Sequence, residues 1–214
     1  MVRKSKEDAE LTCSALLDAA EQVFHEKGVA RSTLNDIASA AGLTRGAVYW
    51  HFTNKADLLQ AMLTRAMLPV EAMLNELGDT GDADPLGALR TMCVQALTGL
   101  ALIPQRQRVF SILFHKCENV GEVVQVLENK KYKSEECMQQ IKIVLQRAVS
   151  VGQLPANTDV ALAHQIINNF MGGTMREWLF DTTAYPLADA ATAMVDVLLT
   201  GLRICPPKLS SFSQ

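Results

Sequence analysis

The sequence RSTLNDIASAAGLTRGAVYWHFTNK, residues 31–55, decides the fold of this chain. It predicts two short helices joined by a tight turn at Gly42, a residue that can adopt the positive φ such a turn needs. Thr33 can cap the first helix, with Asp36 three residues further on in a capping-box arrangement. The second helix should begin at Thr44. A helix, a short turn and a second helix form a geometry that DNA-binding proteins use.

Periodic apolar stretches surround this segment on both sides. Leu16, Ala20, Val23 and Phe24 form one apolar stripe of a preceding helix, which should end before Gly28. Glycine and proline fall mainly between the periodic stretches, and the alternating pattern of strands is absent. We therefore predict an all-α fold of about nine helices. They should cover about residues 6–27, 33–41, 44–50, 54–77, 85–102, 104–117, 121–151, 159–180 and 187–204.

Composition excludes several classes of protein. The net charge is −3, so the chain as a whole is not a polybasic coat for nucleic acid, although residues 31–55 carry three basic side chains against Asp36 alone. The five cysteines are widely spaced and include no CxxC pair, which predicts reduced thiols in a cytoplasmic protein. We expect no metal and no cofactor. No apolar run follows the charged N-terminus or approaches the roughly 20 residues of a membrane span.

The second short helix carries side chains suited to DNA. Arg45 near its start can donate two hydrogen bonds to guanine, and Gly46 lets the backbone approach the duplex. Its N-terminal end also favours phosphate, and hydroxyl and imidazole groups nearby can donate to phosphate oxygens. Lys55 opposes the dipole of the next helix, and a phosphate nearby would explain its placement. The candidate DNA contacts are Ser32, Thr33, Thr44, Arg45, Gly46, Ala47, Tyr49, Trp50, His51 and Lys55.

The stretch GLTRGAVYWHFTNKADLL, residues 42–59, resembles the TetR/AcrR family of bacterial repressors. The turn glycine, the Thr-Arg-Gly, the Tyr-x-His-Phe and the lysine follow the family pattern almost completely. Four shorter segments are similar to the AcrR/TtgR branch, whose members repress multidrug efflux operons. These segments are MVRKSKEDAE at 1–10, ILFHKCE at 112–118, QLP at 153–155 and WLF at 178–180.

This resemblance implies two domains, a helix-turn-helix DNA-binding domain over residues 1–55 and a ligand-binding and dimerisation domain over residues 56–214. The last two helices are apolar on more than one face, and such helices need a partner. Two from each of two chains would form a four-helix interface, and a dimer can read a pseudo-palindromic operator. Both helices could instead close the core of a monomer. The candidate interface residues are Ile167, Trp178, Met194, Leu198 and Leu202.

The middle helices are rich in methionine and aromatic residues, which suit an adaptable cavity for small apolar or aromatic ligands. Each such residue can also be an ordinary core residue, and the resemblance favours a cavity among them. The candidates are Met67, Met92, Ala96, Phe110, Phe114, Cys137, Ile141, Met171 and Met175. His115 and Cys117 lie on different sides of a helix, so we interpret Cys117 as a packed thiol and not as a metal ligand.

The sequence is compatible with three functions. The first is a repressor that a small ligand releases from the operator of a multidrug efflux operon, by binding the released state more tightly. The second keeps the regulator and changes the signal to a metabolite, such as an acyl-thioester, lactone or flavonoid, with a catabolic operon as target. The third is a helical enzyme, which the chain does not favour because it has no paired carboxylates, Ser/His/Asp set or phosphate loop.

Overall fold

The computed structural model describes residues 6–79, 84–117 and 139–208. Within these ranges the chain forms nine α-helices and no strand, which confirms the predicted all-α fold. The helices are α1 (Lys6–Lys27), α2 (Leu34–Ala40), α3 (Arg45–His51), α4 (Lys55–Asp79), α5 (Pro85–Leu102), α6 (Pro104–Ser111), α7 (residues 139–150), α8 (Val160–Phe180) and α9 (Leu187–Ile204). A π-helical segment, Ile112–Lys116, continues α6.

The helix ends around α2 follow the predicted signals. The Thr33 hydroxyl accepts a hydrogen bond from the Asp36 amide (3.1 Å), and the Asp36 carboxylate accepts one from the Thr33 amide (2.9 Å). Gly28 and Gly42 have φ angles of +79° and +65°, which glycine adopts without a clash of Cβ. The chain therefore turns sharply after α1 and again between α2 and α3.

Two helices differ from the prediction in extent, and a third is described only in part. The prediction of one α-helix over 104–117 is wrong in its second half, because α6 ends at Ser111 and the π segment follows. Apolar periodicity does not reveal a single π turn. α4 continues through Pro69 to Asp79, slightly beyond the predicted end. Only the last part of the helix predicted over 121–151 is described, as α7; the rest lies outside the described residues.

Contacts divide the chain into two compact units. The first unit comprises Met1–Met67 and Gln105–Lys130, and the second comprises Leu68–Pro104 and Lys131–Gln214. The first unit therefore includes α6 and the π segment together with α1, α2, α3 and the first part of α4.

The core of the first unit holds the short helices in place. Phe24, Ile37 and Val48, from α1, α2 and α3, are fully buried together. Val109 of α6 and Ile112 of the π segment belong to the same core. Burying an aliphatic or aromatic side chain of this size contributes about 1.5–3 kcal/mol. The inner face of α3 is therefore fixed, while its outer face stays in solvent.

The second unit is built around α5, which packs mainly along α9 and also contacts α8. An ion pair joins α5 to α9: Arg90 Nη2 donates to Asp196 Oδ2 at 2.9 Å, and Arg90 Nε donates to the other carboxylate oxygen. Such a two-point contact fixes the orientation of both side chains. At the start of α5, Gln153 accepts a hydrogen bond from the Leu86 amide (2.9 Å) and donates one to the helix-capping Asp84 (2.6 Å).

No single helix in the described ranges is long and apolar enough to cross a membrane. Among the described helices, α5 taken together with the helical residues that follow it has the required length and composition.

Candidate functional site

The outer face of α3 exposes two large aromatic side chains to solvent. Val48 faces the core, whereas the side chains of Tyr49 and Trp50 are 48% and 72% exposed. Adjacent large aromatic residues on a short solvent-facing helix are typical of a binding surface. Arg45 and Gly46 are exposed on the preceding turn of the same helix.

Arg45 is positioned before any partner binds. Its Nη2 donates a hydrogen bond to the Tyr49 hydroxyl (3.2 Å), and its guanidinium carbon lies 5.2 Å from the centroid of the Tyr49 ring. A stacked guanidinium loses less conformational entropy on binding than a free one. The pair therefore offers an oriented double donor with the geometry that guanine or phosphate accepts.

The hydroxyl residues predicted to contact DNA divide into two groups. Thr33 and Thr44 are exposed, and both hydroxyls cap a helix: Thr44 accepts from the Ala47 amide at 3.2 Å. Ser32 is buried and its hydroxyl donates to the Gly28 carbonyl oxygen (2.6 Å). The Ser32 side chain therefore braces the turn after α1 and does not share the exposed face of α3.

Lys55 links the start of α4 to the connection between α1 and α2. Its ammonium group donates to the carbonyl oxygens of Ala30 (3.0 Å) and Ser32 (2.9 Å). These two acceptors explain why a lysine stands at the positive end of a helix, a position for which the sequence by itself suggests only a phosphate. An ammonium group has three donors, so this clamp leaves one N–H for another acceptor.

Ala47 and His51 are half-buried at the edges of the exposed face. The His51 ring meets the Trp50 ring edge-on, with centroids 4.4 Å apart.

On α2, Asp36 has its pKa lowered to about 2, first by a hydrogen bond from Lys27 and then by hydrogen bonds from Thr33. The single acidic residue of the helix-turn-helix is thus neutralised by a neighbouring lysine.

The predicted ligand contacts are half-buried and belong to different units. Met67, Phe110 and Phe114 lie in the first unit, where the two phenylalanine rings stack with centroids 5.9 Å apart. Cys137 lies outside the described residues. The candidates of the second unit are Met92, Ala96, Ile141, Met171 and Met175. Within each unit, partial burial is compatible with a cavity wall and also with a core position.

The predicted interface residues of α8 and α9 are largely internal to the second unit. Ile167, Trp178 and Leu202 are buried, and the Trp178 indole donates to the Tyr185 carbonyl oxygen (3.0 Å). Met194 and Leu198 are half-buried. The exposed apolar side chains of these helices are Ile166, Phe180, Val197 and Ile204. Both faces of α8 and α9 are apolar, so the sequence does not show which of their apolar residues point inward.

A groove of about 430 Å³ lies in the second unit, beside the start of α5 and the end of α9. Its walls are mostly polar, and none of the predicted ligand contacts lines it. Among its walls are Asp84, Arg90, Gln153, Asp196 and Arg203. Its carboxylates and guanidiniums largely pair with one another or with helix ends, as described for Arg90 and Asp84 above.

Two family models match this chain. A family model described as "Bacterial regulatory proteins, tetR family" matches residues 16–62, and one described as "MAATS-type transcriptional repressor, C-terminal region" matches residues 84–204. The chain belongs to the TetR family. The resemblance seen in residues 42–59 is thereby confirmed, and the family consists of transcriptional regulators and not of enzymes.

Similar proteins cover nearly the whole chain. The HTH-type transcriptional regulator TtgR of Pseudomonas putida is 36% identical over 96% of this chain and 98% of its own length. The structure of NalD, the secondary repressor of the MexAB-OprM multidrug efflux pump in Pseudomonas aeruginosa, has a TM-score of 0.78 at 32% identity, over 92% and 98% of the two chains. A complex of SmeT with triclosan has a TM-score of 0.80 at 29% identity, over 89% and 91% of the two chains. SmeT is described as the repressor of the Stenotrophomonas maltophilia multidrug efflux pump SmeDEF.

Several residues of this TetR-family chain have roles that sequence reasoning missed. The buried Glu21 and its partner Arg65 are separated by 44 positions in the sequence. Sequence alone does not indicate this pair, because a charged residue at the edge of an apolar stripe is expected to face solvent. Cys117 packs against the first unit's core, as predicted. Burial raises the pKa of the Cys93 thiol to about 12, so this cysteine is an inert core residue. No cluster of three metal-ligating side chains occurs in the part of the chain that the structure describes.

Proposed function

We propose that this protein is a transcriptional repressor that binds a pseudo-palindromic operator as a homodimer and is released by a small ligand. The observation that carries the proposal is the outer face of α3, where Arg45 is held against Tyr49 on a helix anchored by Val48. That face has the donors and the exposed aromatics for a major-groove contact. Lys55 and the exposed hydroxyls supply the contacts to phosphate that set the register.

The target of the repressor is proposed from its relatives. NalD and SmeT are described as repressors of multidrug efflux pumps, and SmeT has been captured with triclosan. We propose that this protein controls a multidrug efflux operon in the cytoplasm, together with its own gene, and that its ligands are small apolar or aromatic molecules. A cavity lined by methionine and aromatic side chains can repack around such ligands without strict selectivity.

The division of labour along the chain is part of the proposal. Residues 1–55 bind DNA, and residues 56–214 bind ligand and form the dimer. These functional limits do not coincide with the compact units, since the first unit also takes in Gln105–Lys130. The predicted ligand contacts keep their proposed roles. The proposed interface keeps the half-buried Met194 and Leu198 and gains the exposed Val197 and Ile204, whereas Ile167, Trp178 and Leu202 are buried within the second unit.

The test is a mobility shift with DNA from upstream of the protein's own gene and of neighbouring transporter genes. The purified protein should shift one of these fragments, and a fragment with a scrambled half-site is the control. Saturating triclosan and a panel of aromatic drugs are then added to the complex. A complex that survives every saturating ligand would show that ligand release is wrong, while failure to shift any fragment would reject the repressor itself.

A further inference from the structure

A carboxylate is buried in the middle of the DNA-binding unit. Glu21 lies on the core-facing side of α1, between Ala20 and Val23, and its side chain is 1% exposed. A buried charge costs several kcal/mol unless it is paired and hydrogen-bonded. Its partners therefore define a contact that the fold must keep.

The partners of Glu21 come from two other helices. Arg65 of α4 donates to Oε1 through Nη2, and Gln105 of α6 donates to the same oxygen at 2.8 Å. Arg108, one turn further along α6, reaches Oε2 through Nη2 at 3.5 Å. One side chain of α1 thus holds α4 and α6 at once.

The two arginine contacts are unequal. Arg65 also donates to Asp18 Oδ1 at 2.7 Å and to the Ser14 carbonyl oxygen at 3.3 Å, so α4 is tied to α1 at three points. Among the described residues, Arg108 makes one long contact to Glu21, whereas the Nε atoms of both arginines are buried without a hydrogen-bond partner. Charge-assisted N–H···O bonds normally measure about 2.7–2.9 Å. The Arg108 contact is therefore the weaker of the two arginine contacts, while Gln105 joins α6 to Glu21 at 2.8 Å.

A second attachment ties the same segment to the turn after α1. The Val29 amide donates to the Lys116 carbonyl oxygen at 3.1 Å, and Val109 and Ile112 enter the core between the two attachments. The segment between them contains the π-helical turns, and such turns are frequent at functional sites. In sequence, this segment follows directly after α5, which belongs to the other unit.

We propose that Glu21 is a positioning residue for DNA binding. Through Arg108 and Gln105, α6 controls how firmly Glu21 joins α1 to α4. The inference rests on the proposed repressor function and names an internal contact that regulates it. Pairing of Arg108 with Glu21 keeps the part of α4 around Arg65 ordered against α1. In the chain, α4 follows α3 directly. Loss of the pair loosens this part of α4. DNA binding must then order it again, and the conformational entropy lost in doing so lowers operator affinity.

The experiment compares Arg108→Gln with Arg106→Gln, which removes the same charge from the same helix without touching Glu21. Operator affinity is measured by fluorescence anisotropy at several salt concentrations, using the fragment shifted by the wild type. Arg108→Gln should weaken operator binding about threefold or more relative to Arg106→Gln. The dependence of log K on log salt should be unchanged, because the role proposed for Arg108 is a contact with Glu21 and not with phosphate. Arg108→Lys should restore the affinity, since it returns the charge.

A readout without DNA separates this inference from the proposed function. Hydrogen exchange of the α1 and first α4 amides should be faster in Arg108→Gln than in Arg106→Gln. Gln105→Leu is the second variant, and it should act in the same direction if Arg108→Gln fails to fold. Equal affinity and equal exchange in the Arg108 and Arg106 variants, or a reduced salt slope in Arg108→Gln, would overturn the inference. A wild type that binds no operator fragment would instead be a failure of the proposed function.

Discussion

At the scale of single residues, we expect base recognition to depend most on Arg45. Arg45→Ala should weaken operator binding by about 1–3 kcal/mol and relax the preference at one base pair in each half-site, because a bidentate contact to guanine is lost. The measurement is a binding competition against operators substituted at each position. Tyr49→Phe is the matched control for orientation: it keeps the stacked ring and removes the hydroxyl that accepts from Arg45. An unchanged base preference in Arg45→Ala would assign Arg45 to phosphate.

Lys55 combines a proposed phosphate contact with a structural one. Lys55→Ala should weaken binding evenly across operator sequences and lower the salt slope by about 1, since one phosphate contact is lost. It should also lower the melting temperature, because the carbonyl oxygens of Ala30 and Ser32 lose their donor. The two effects are measured by salt titration of operator binding and by thermal unfolding without DNA. A change in base preference would contradict the role in phosphate binding, and a lower melting temperature with an unchanged salt slope would make Lys55 a purely structural residue.

At the scale of elements, the cap of α2 makes the stability of the first unit depend on pH in acid. The pKa of Asp36 is about 2 in the folded protein, against an ordinary value of 3.8, because Lys27 and Thr33 hydrogen-bond its carboxylate. Its contribution to stability is therefore present above about pH 3.8 and is lost as the pH falls towards 2. Asp36→Asn should remove this part of the acid dependence, as followed by urea unfolding between pH 2 and pH 5. Asp189→Asn, in the first turn of α9, is the matched control; an identical acid profile for Asp36→Asn and the wild type would contradict the assignment.

The segment formed by α6 and the π turn shows why an element can belong to another unit than its sequence suggests. The family model of the C-terminal region includes these residues, yet Val109 and Ile112 are part of the core that holds α3. Its attachment through Glu21 and through Val29 involves residues more than 80 positions apart in sequence. Such contacts depend on how the helices pack, which local periodicity does not encode.

At the scale of the whole molecule, we expect the proposed dimer to set operator affinity, because each helix-turn-helix carries few basic residues. Val197 and Ile204, which are 74% and 80% exposed, lie on the outer side of α9, opposite the buried Val195 and Leu202. Val197→Glu should shift the protein towards the monomer and weaken operator binding strongly, because it places a charge in the proposed apolar interface. Sedimentation velocity and anisotropy measure the two effects. Thr192→Glu, exposed on a different side of α9, is the control, and a Val197→Glu protein that remains dimeric would place the interface elsewhere.

Much of this protein could be derived from its sequence alone. The caps at Thr33, Thr44 and Asp84 and the turn glycines are local signals, so most helix limits are predicted to within a residue or two. Residues 42–59 indicate the family from sequence, and they lie within the part of the chain that the family model matches, residues 16–62.

Tertiary structure alone decided which of two apolar faces points inward and which charged residues are buried. Periodicity on α8 and α9 reports that both faces are apolar, but only packing shows that Trp178 and Leu202 face the core while Val197 faces solvent. In the same way, the structure turns Lys55 from a simple phosphate contact into a clamp on two carbonyl oxygens. The residues 31–55 determine the DNA-reading element by themselves. How firmly that element is held depends on Glu21 and α6, because the free energy of a buried charge is set by partners distant in sequence.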